Sequence, residues 1–224
     1  MNKEIGLPLK SRPGGGSKRV LQPGVIAYKR ERILEVASAL MHARGYEAAT
    51  MEMVADELKV TKPFLYTYFR NKSDILRSIC EVGVSESLAA LDRAAEIDGN
   101  SVDRLRMSLV QVARIIIERY QYIDVYQREM KSLDRASAQH LIRLRHEFDL
   151  RVGRMIQACV DEGHVTIKDA PAMSVWIGGL MSWITNCYRP GSRRSRDTVI
   201  EKVVTASLRI VGLDQPVHVQ PTAD

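Results

Sequence analysis

The spacing of the apolar residues limits the fold of this chain more than any other feature. From about residue 25 onward they recur every three or four positions, as Ile33, Ala37 and Leu40 do in the first run. The later runs cover residues 105–116, 141–159 and 198–211. Such spacing predicts amphipathic helices, and no stretch alternates apolar and polar residues between turn residues as a strand would. The sequence therefore predicts an all-α fold of about nine helices.

Helix-ending and helix-starting residues divide the chain further. Gly45 and Gly163 are placed to end helices, whereas Thr50 has the side chain of an N-cap. Thr61 can cap again, and Pro63 is tolerated in a first helical turn. Two short helices joined by a tight turn are typical of a helix-turn-helix. The predicted organisation is a flexible arm at 1–24, a three-helix helix-turn-helix domain at 25–72, a larger helical domain at 73–213 and a flexible tail at 214–224.

The charge of the chain is concentrated at its N-terminus. The formal net charge is +6 with a pI near 9.3, and residues 1–30 hold seven basic residues against Glu4, which accounts for 7 − 1 = +6. Such an arm favours an anionic partner such as nucleic acid. Lys18 and Arg19 are placed to reach a minor groove beside a helix-turn-helix, although an incidental disordered tail remains the alternative.

Several classes of function are not supported by any motif. The chain has no H-E-x-x-H, no G-x-S-x-G and no phosphate-binding loop, so neither a catalytic site nor a metal site is predicted. Its five histidines are scattered, and Cys80, Cys159 and Cys187 lack the spacing of a zinc site or a disulfide framework. We expect a cytoplasmic protein that is not an enzyme, without a cofactor and without a membrane partner.

The segment ILEVASALMHARGYEAATMEMVADELKVTKPFLYTYFRNKSDIL, residues 33–76, resembles the DNA-binding module of the TetR family of bacterial transcriptional regulators. The matching features are the pair Gly45-Tyr46, Thr50, Val54-Ala55, and then Leu65-Tyr66, Phe69 and Lys72 at the family's spacing. The resemblance implies double-stranded DNA as a partner, read by a recognition helix in the major groove.

Helical positions divide the segment KPFLYTYF between packing and contact. Leu65 and Phe69, four residues apart, are predicted to pack inward. By similarity to the family, Thr50, Tyr66 and Lys72 contact phosphates, which position the domain without reading sequence. The candidates for base edges are Lys62, Pro63 and Thr67. Thr61, at the start of the helix, is also a predicted interface residue. Tyr68 is the last one, and both packing in the core and contact with DNA fit its position.

The family resemblance also implies a homodimer on an inverted-repeat operator. The last two helices are the predicted interface, because the segment WIGGLMSWITNCY, residues 176–188, is apolar around its whole circumference. Gly178 and Gly179 permit close approach of another backbone. That backbone could belong to the second subunit or to the same one.

Regulators of this family sense a small molecule, and the predicted cavity residues are Tyr126, Phe148, Trp176 and Trp183. The segments REMKSL at 128–133 and LRHEFD at 144–149 are similar to the branch of the family that responds to acyl-CoA thioesters, in which the tryptophan at the position of Trp183 borders the acyl pocket. Arg145 or Arg189 is a candidate for the CoA phosphates. The alternative is a DNA-binding dimer without an effector.

Overall fold

A computed structural model describes residues 23–192, 194–214 and 217, and this part of the chain contains helices and no strand. The helices are α1 Pro23–Arg44, α2 Met51–Leu58, α3 Lys62–Tyr66, α4 Lys72–Ala95, α5 Ser101–Glu118, α6 Tyr120–Glu129, α7 Arg135–Asp161, α8 Ala170–Ser182, α9 Ile184–Cys187 and α10 Arg196–Ile210, with a 3-10 turn at Met130–Ser132. α9 is a single turn that follows α8 after a break at Trp183. The all-α prediction is confirmed.

Side-chain caps explain where many helices begin. The Thr50 hydroxyl accepts a hydrogen bond from Met53 N at 3.2 Å, and Asn71 Oδ1 accepts one from Asp74 N at 2.8 Å. Both satisfy backbone donors that a helix start leaves without partners. The side chain of Thr61 makes no cap hydrogen bond at the start of α3.

The turn between α2 and α3 requires a left-handed backbone at Lys59, where φ is 55°. This turn fixes the angle between the two short helices. Below it, Ile33, Leu65, Phe69 and Ile79 are at most 1% exposed and form the centre of the N-terminal core.

The N-terminal core is not closed by α1–α4 alone. Tyr122 and Val125 of α6 and Leu141 of α7 are buried in it. α4 begins at Lys72 and continues into the second core, which gathers residues of α4, α5, α7, α8 and α10. The helix-turn-helix is therefore packed directly against the larger helical region.

Burial of Phe69 predicts a large stability cost for its removal. We expect Phe69→Ala to lower the free energy of unfolding by about 3–5 kcal/mol, since it deletes a fully buried ring and leaves a cavity. Tyr66→Ala, which removes an aromatic ring that is 48% exposed, is the matched control and should change stability by no more than about 0.5 kcal/mol. Urea unfolding followed by circular dichroism measures both, and equal losses for the two variants would contradict the prediction.

Candidate nucleic-acid interface and effector cavity

α3 presents one face to its own domain and the other to solvent. Leu65 is fully buried, and Phe69 just beyond the helix is 1% exposed. Of the predicted contact residues, those fully on the surface are Thr50, Thr61, Pro63, Tyr66 and Thr67, whereas Lys62, Tyr68 and Lys72 are half-buried. The structure thus brings these eight side chains together around the helix-turn-helix. Lys18 and Arg19 lie outside the described residues.

Lys62 and Glu52 form an ion pair between α3 and α2. Their hydrogen bond raises the pKa of Lys62 and lowers the pKa of Glu52. The side chains of Lys62 and Glu52 are 42% and 58% accessible to solvent, and an ion pair with this accessibility contributes little stability. Lys62 can therefore exchange Glu52 for an external acceptor at small cost.

The hydroxyl groups of Thr50 and Thr67 differ in their hydrogen-bond partners. Thr50 Oγ1 accepts from Met53 N, and its hydroxyl donates to the exposed carboxylate of Glu52, a partner that it can exchange for an external acceptor. Thr67 Oγ1 donates to Phe64 O at 2.7 Å, so its hydroxyl hydrogen is engaged within α3. What Thr67 presents outward is its methyl group, which suits an apolar contact such as a thymine methyl.

Lys72 ties the start of α4 to the turn between α1 and α2. Its ammonium donates to Tyr46 O at 2.9 Å and to Glu47 O at 3.2 Å, and it lies 4.2 Å from the centre of the Tyr46 ring. An ammonium group has three donors. Lys72 therefore holds this turn in place and retains one donor for a phosphate.

Arg30 of α1 supports the end of α3, a role that sequence reasoning missed. Its guanidinium lies 4.2 Å above the ring of Phe69 and donates a hydrogen bond to Tyr68 O. This contact fixes the backbone just after α3. The Tyr68 ring packs against Phe64, with ring centroids 5.1 Å apart. Only the density of basic residues around position 30 could have indicated this role.

A basic groove lies beside α3, lined by Arg30, Arg70 and Arg77 among others. Asp74 lies in it and accepts hydrogen bonds from Arg70 N at 3.1 Å and Arg77 Nη2 at 2.8 Å. Burial alone would raise the pKa of Asp74, but these bonds outweigh it and hold that pKa below its usual value. The groove is therefore a cationic surface with one carboxylate held in its ionised form.

The second candidate site is a cavity of about 50 Å³ between α4, α5, α6, α7 and α8. Tyr126 and Phe148 line it, as do the apolar side chains Val84, Val112, Ile116, Ile123 and Met181 and the polar Ser87, Gln127, Arg145 and Ser182, with Gly83 and Gly178 completing the wall. Burial raises the pKa of Tyr126. Sequence reasoning did not identify Gly83 and Gly178 as cavity residues. The position of these two glycines inside helices was the signal that could have indicated it.

The prediction that Trp176 and Trp183 line the cavity needs correction. Both indoles are on the surface, 67% and 60% exposed respectively. At 100° per residue, positions 176 and 183 lie on the side of α8 opposite Gly178, which faces the cavity. Because α8 is apolar around its circumference, the sequence alone does not show which side of it faces the cavity.

Gln127 and Arg145 are the long polar side chains in the cavity wall. Gln127 Nε2 donates to Ser182 O at 2.6 Å, and its Oε1 accepts from Thr185 Oγ1 at 2.9 Å. Arg145 Nε lies 3.4 Å from Asp149 Oδ1. Burial raises the pKa of Asp149, although Arg145 opposes the shift. The cavity is thus apolar with an amide and a guanidinium at its edge.

The two glycines of α8 have different surroundings. A Cβ at Gly178 would lie 2.6 Å from Arg145 Nη2, so the absence of a side chain permits close packing of α7 within the same chain. Gly179 is exposed, with no atom within 4 Å of a built Cβ. The exposed large apolar side chains of this region, here called the apolar strip, are Ile142 and Leu150 of α7, Val175 and Trp176 of α8 and Trp183 just after it. Leu150 and Val175 line one groove between the two helices.

Two further kinds of site are absent from the described part of the chain. Within the described ranges, no cluster of three or more histidine, cysteine, aspartate or glutamate side chains could hold a metal ion. No helix in the same part of the chain is long and apolar enough to span a bilayer.

Two family matches cover most of the structured chain. Residues 33–79 match bacterial regulatory proteins of the tetR family, and residues 98–211 match the tetracyclin repressor-like C-terminal domain. The second match alone spans half of the chain. The two together contain the helix-turn-helix and most of the cavity wall.

Among relatives, the transcriptional repressor KstR of Mycobacterium tuberculosis is 26% identical over 192 residues, which are 84% of this chain and 82% of KstR. Among solved structures, the TetR family regulator PfmR of Thermus thermophilus has a TM-score of 0.73 at 24% identity, covering 80% of this chain and 97% of PfmR. AibR in complex with isovaleryl coenzyme A and operator DNA has a TM-score of 0.67 at 22% identity, with coverage of 80% and 97%. These structural likenesses establish the fold.

Proposed function

Because the chain belongs to the TetR family of bacterial transcriptional regulators, and is therefore a DNA-binding regulator, we propose that it acts as an effector-released repressor. The proteins that it matches are regulators rather than enzymes. The proposed repressor works in the cytoplasm as a homodimer on an inverted-repeat operator. The observation that carries the proposal is that α4 begins directly after the recognition segment and contributes Gly83, Val84 and Ser87 to the cavity wall.

The DNA contacts follow from the exposed face of the helix-turn-helix. Tyr66 and Lys72 each keep a donor that can meet a phosphate, and Thr50 can exchange Glu52 for a phosphate, which sets the position of the domain. Pro63 and Thr67 lie at the outer side of α3 and Lys62 at its N-terminal end, where a side chain can reach base edges in the major groove. Thr61 and Tyr68 flank this surface, and Lys18 and Arg19 would add contacts from the arm.

The exposed apolar strip supports a second copy of the chain as partner, and it adds α7 to the interface that the sequence predicted at the last two helices. Large apolar side chains that are contiguous on a surface mark an interaction site. Trp176 and Trp183 are suited to such an interface because aromatic side chains dominate interface energies. A two-fold dimer would place two recognition helices about 34 Å apart, in successive major grooves.

The cavity supports an effector with a short apolar group. Its volume of about 50 Å³ is far below the roughly 300–1,000 Å³ of a typical ligand pocket, so a ligand must enlarge it by moving side chains such as Gln127, Arg145 and Met181. A ligand that fits only the enlarged form favours that conformation, which is the requirement for a switch. The isovaleryl coenzyme A bound by AibR indicates an acyl-CoA thioester as the first candidate, with Arg145 near its polar end.

Substitutions of Lys72 and Lys62 test which residues contact phosphates and which contact base edges. We expect Lys72→Gln to weaken binding to operator and random DNA equally and to reduce the slope of log affinity against log salt by about 1, because it removes a phosphate contact. Lys62→Gln should instead lower the preference for operator over random DNA. The difference between the two binding free energies should shrink by about 1–3 kcal/mol. Fluorescence anisotropy across a salt series measures both, and an equal loss on the two DNAs for Lys62→Gln would contradict its assignment to a base.

The proposed dimer interface can be tested by introducing one charged side chain. Wild-type protein should sediment at twice the 25.3 kDa of the chain, whereas Trp176→Asp should sediment at or near the single-chain mass because it buries a carboxylate in an apolar interface. Met107→Asp is the matched control, since Met107 is an exposed apolar residue on α5, outside the strip. Dissociation of both variants, or of neither, would argue against this interface.

The proposed function is tested by binding to the chain's own promoter region, with isovaleryl-CoA, longer acyl-CoA thioesters and the matching free acids added in turn. We expect an acyl-CoA to lower DNA affinity about 5- to 150-fold, the range of a typical coupling of about 1–3 kcal/mol. Anisotropy of a labelled promoter fragment reports the release. Tight DNA binding that no compound weakens would favour the effector-independent dimer, and absence of specific binding would overturn the repressor itself.

A further inference from the structure

α6 touches both the cavity and the DNA-binding module. Its residues Ile123, Tyr126 and Gln127 line the cavity. Its residues Asp124 and Arg128, on a different side of the helix, face the C-terminal end of α1. A displacement of α6 by a ligand therefore acts at once on these contacts with α1.

The contacts between α6 and the end of α1 are polar and partly shielded from water. His42 Nδ1 lies 2.7 Å from Asp124 Oδ2, and Arg128 Nη2 donates to His42 O at 2.8 Å while also pairing with Asp124. The His42 ring meets Tyr120 edge-on, with centroids 5.6 Å apart. Hydrogen bonds to charged groups in such partly buried positions are stronger than those between neutral groups.

A second contact reaches the turn that leads into α2. Glu129 at the end of α6 accepts a hydrogen bond from Tyr46 N at 3.3 Å. The carbonyl oxygen of the same Tyr46 accepts from Lys72. Tyr46 is thus held on one side by α6 and on the other by the start of α4.

We propose that Asp124, Arg128 and Glu129, with their partners His42 and Tyr46, form a clasp that transmits widening of the cavity from α6 to the helix-turn-helix. These are positioning residues, since none of them is placed at the DNA-reading surface or in the cavity wall. The inference rests on the proposed function and assigns its coupling to the junction of α6 with α1, in addition to the continuous α4. α1 and the turn after it carry α2 and α3, so a shift of the clasp reorients the DNA-reading surface.

Gly83 allows the clasp to be tested without knowing the effector. A Cβ at Gly83 would lie 2.1 Å from Ile123 Cδ1, which is an overlap. Gly83→Val therefore acts as a wedge between α4 and α6 that forces Ile123 to move, and hydrogen exchange of α6 reports whether the helix moves with it. Ile123→Ala removes as many carbon atoms as the wedge adds, so the double variant Gly83→Val/Ile123→Ala is the volume-matched control.

The experiment measures affinity for a labelled promoter fragment by anisotropy, in three backgrounds: wild type, the clasp-deficient Asp124→Ala/Glu129→Ala, and Glu86→Ala. Glu86→Ala breaks the ion pair of Arg119 with α4 and leaves the clasp intact, so it controls for the loss of charged contacts near α6. We expect the wedge to weaken DNA binding about 5-fold or more in wild type and in Glu86→Ala, and less than about 2-fold in the clasp-deficient background. The volume-matched variant should regain most of the DNA affinity that the wedge loses. Thermal unfolding confirms that each variant is folded.

Equal weakening by the wedge in all three backgrounds would overturn the proposal and assign the coupling to α4. An inert wedge in wild type would overturn it as well, provided that hydrogen exchange shows α6 of the folded wedge variant to be less protected than in wild type. Failure of wild type to bind the fragment would instead count against the proposed function, so the two failures can be told apart.

Discussion

Burial of Leu65 and Phe69 is the interaction on which the rest of the site depends. α3 has five residues, far fewer than an isolated helix needs to persist in water. Its conformation must therefore be imposed by packing, and Arg30 reinforces the packing by covering Phe69 and binding the backbone at Tyr68. Once this inner face is fixed, helical spacing places Pro63 and Thr67 on the opposite side, whereas Lys62 and Tyr66 lie at its edges.

The local parts of this structure could be predicted from the sequence. Apolar spacing predicted the helices, and single residues such as Thr50, Gly45 and Gly163 predicted several of their ends, because these effects act within one or two turns. The inward faces of Leu65 and Phe69 were predicted correctly for the same reason. The resemblance to the family was likewise confined to a short contiguous segment.

The parts that depend on distant contacts could not be predicted in this way. Trp176 and Trp183 were assigned to the wrong side of α8, because a helix that is apolar all round does not reveal which side faces the cavity. Arg30, Gly83 and Gln127 acquire their roles from residues on other helices, at separations that no local pattern records. Gly178 and Gly179, adjacent in sequence, have different surroundings because only one of them faces α7.

The N-terminal core includes Tyr122 and Val125 of α6 and Leu141 of α7, and this sharing limits how regulators of this kind can be recombined. A helix-turn-helix cut from this chain and joined to a foreign effector domain would lose part of its own interior and expose the surface that those side chains cover. A chimaera that preserves DNA recognition would have to carry along the matching sides of α6 and α7. For a change of operator, replacing the exposed residues of α3 alone disturbs far less of the structure than exchanging the module.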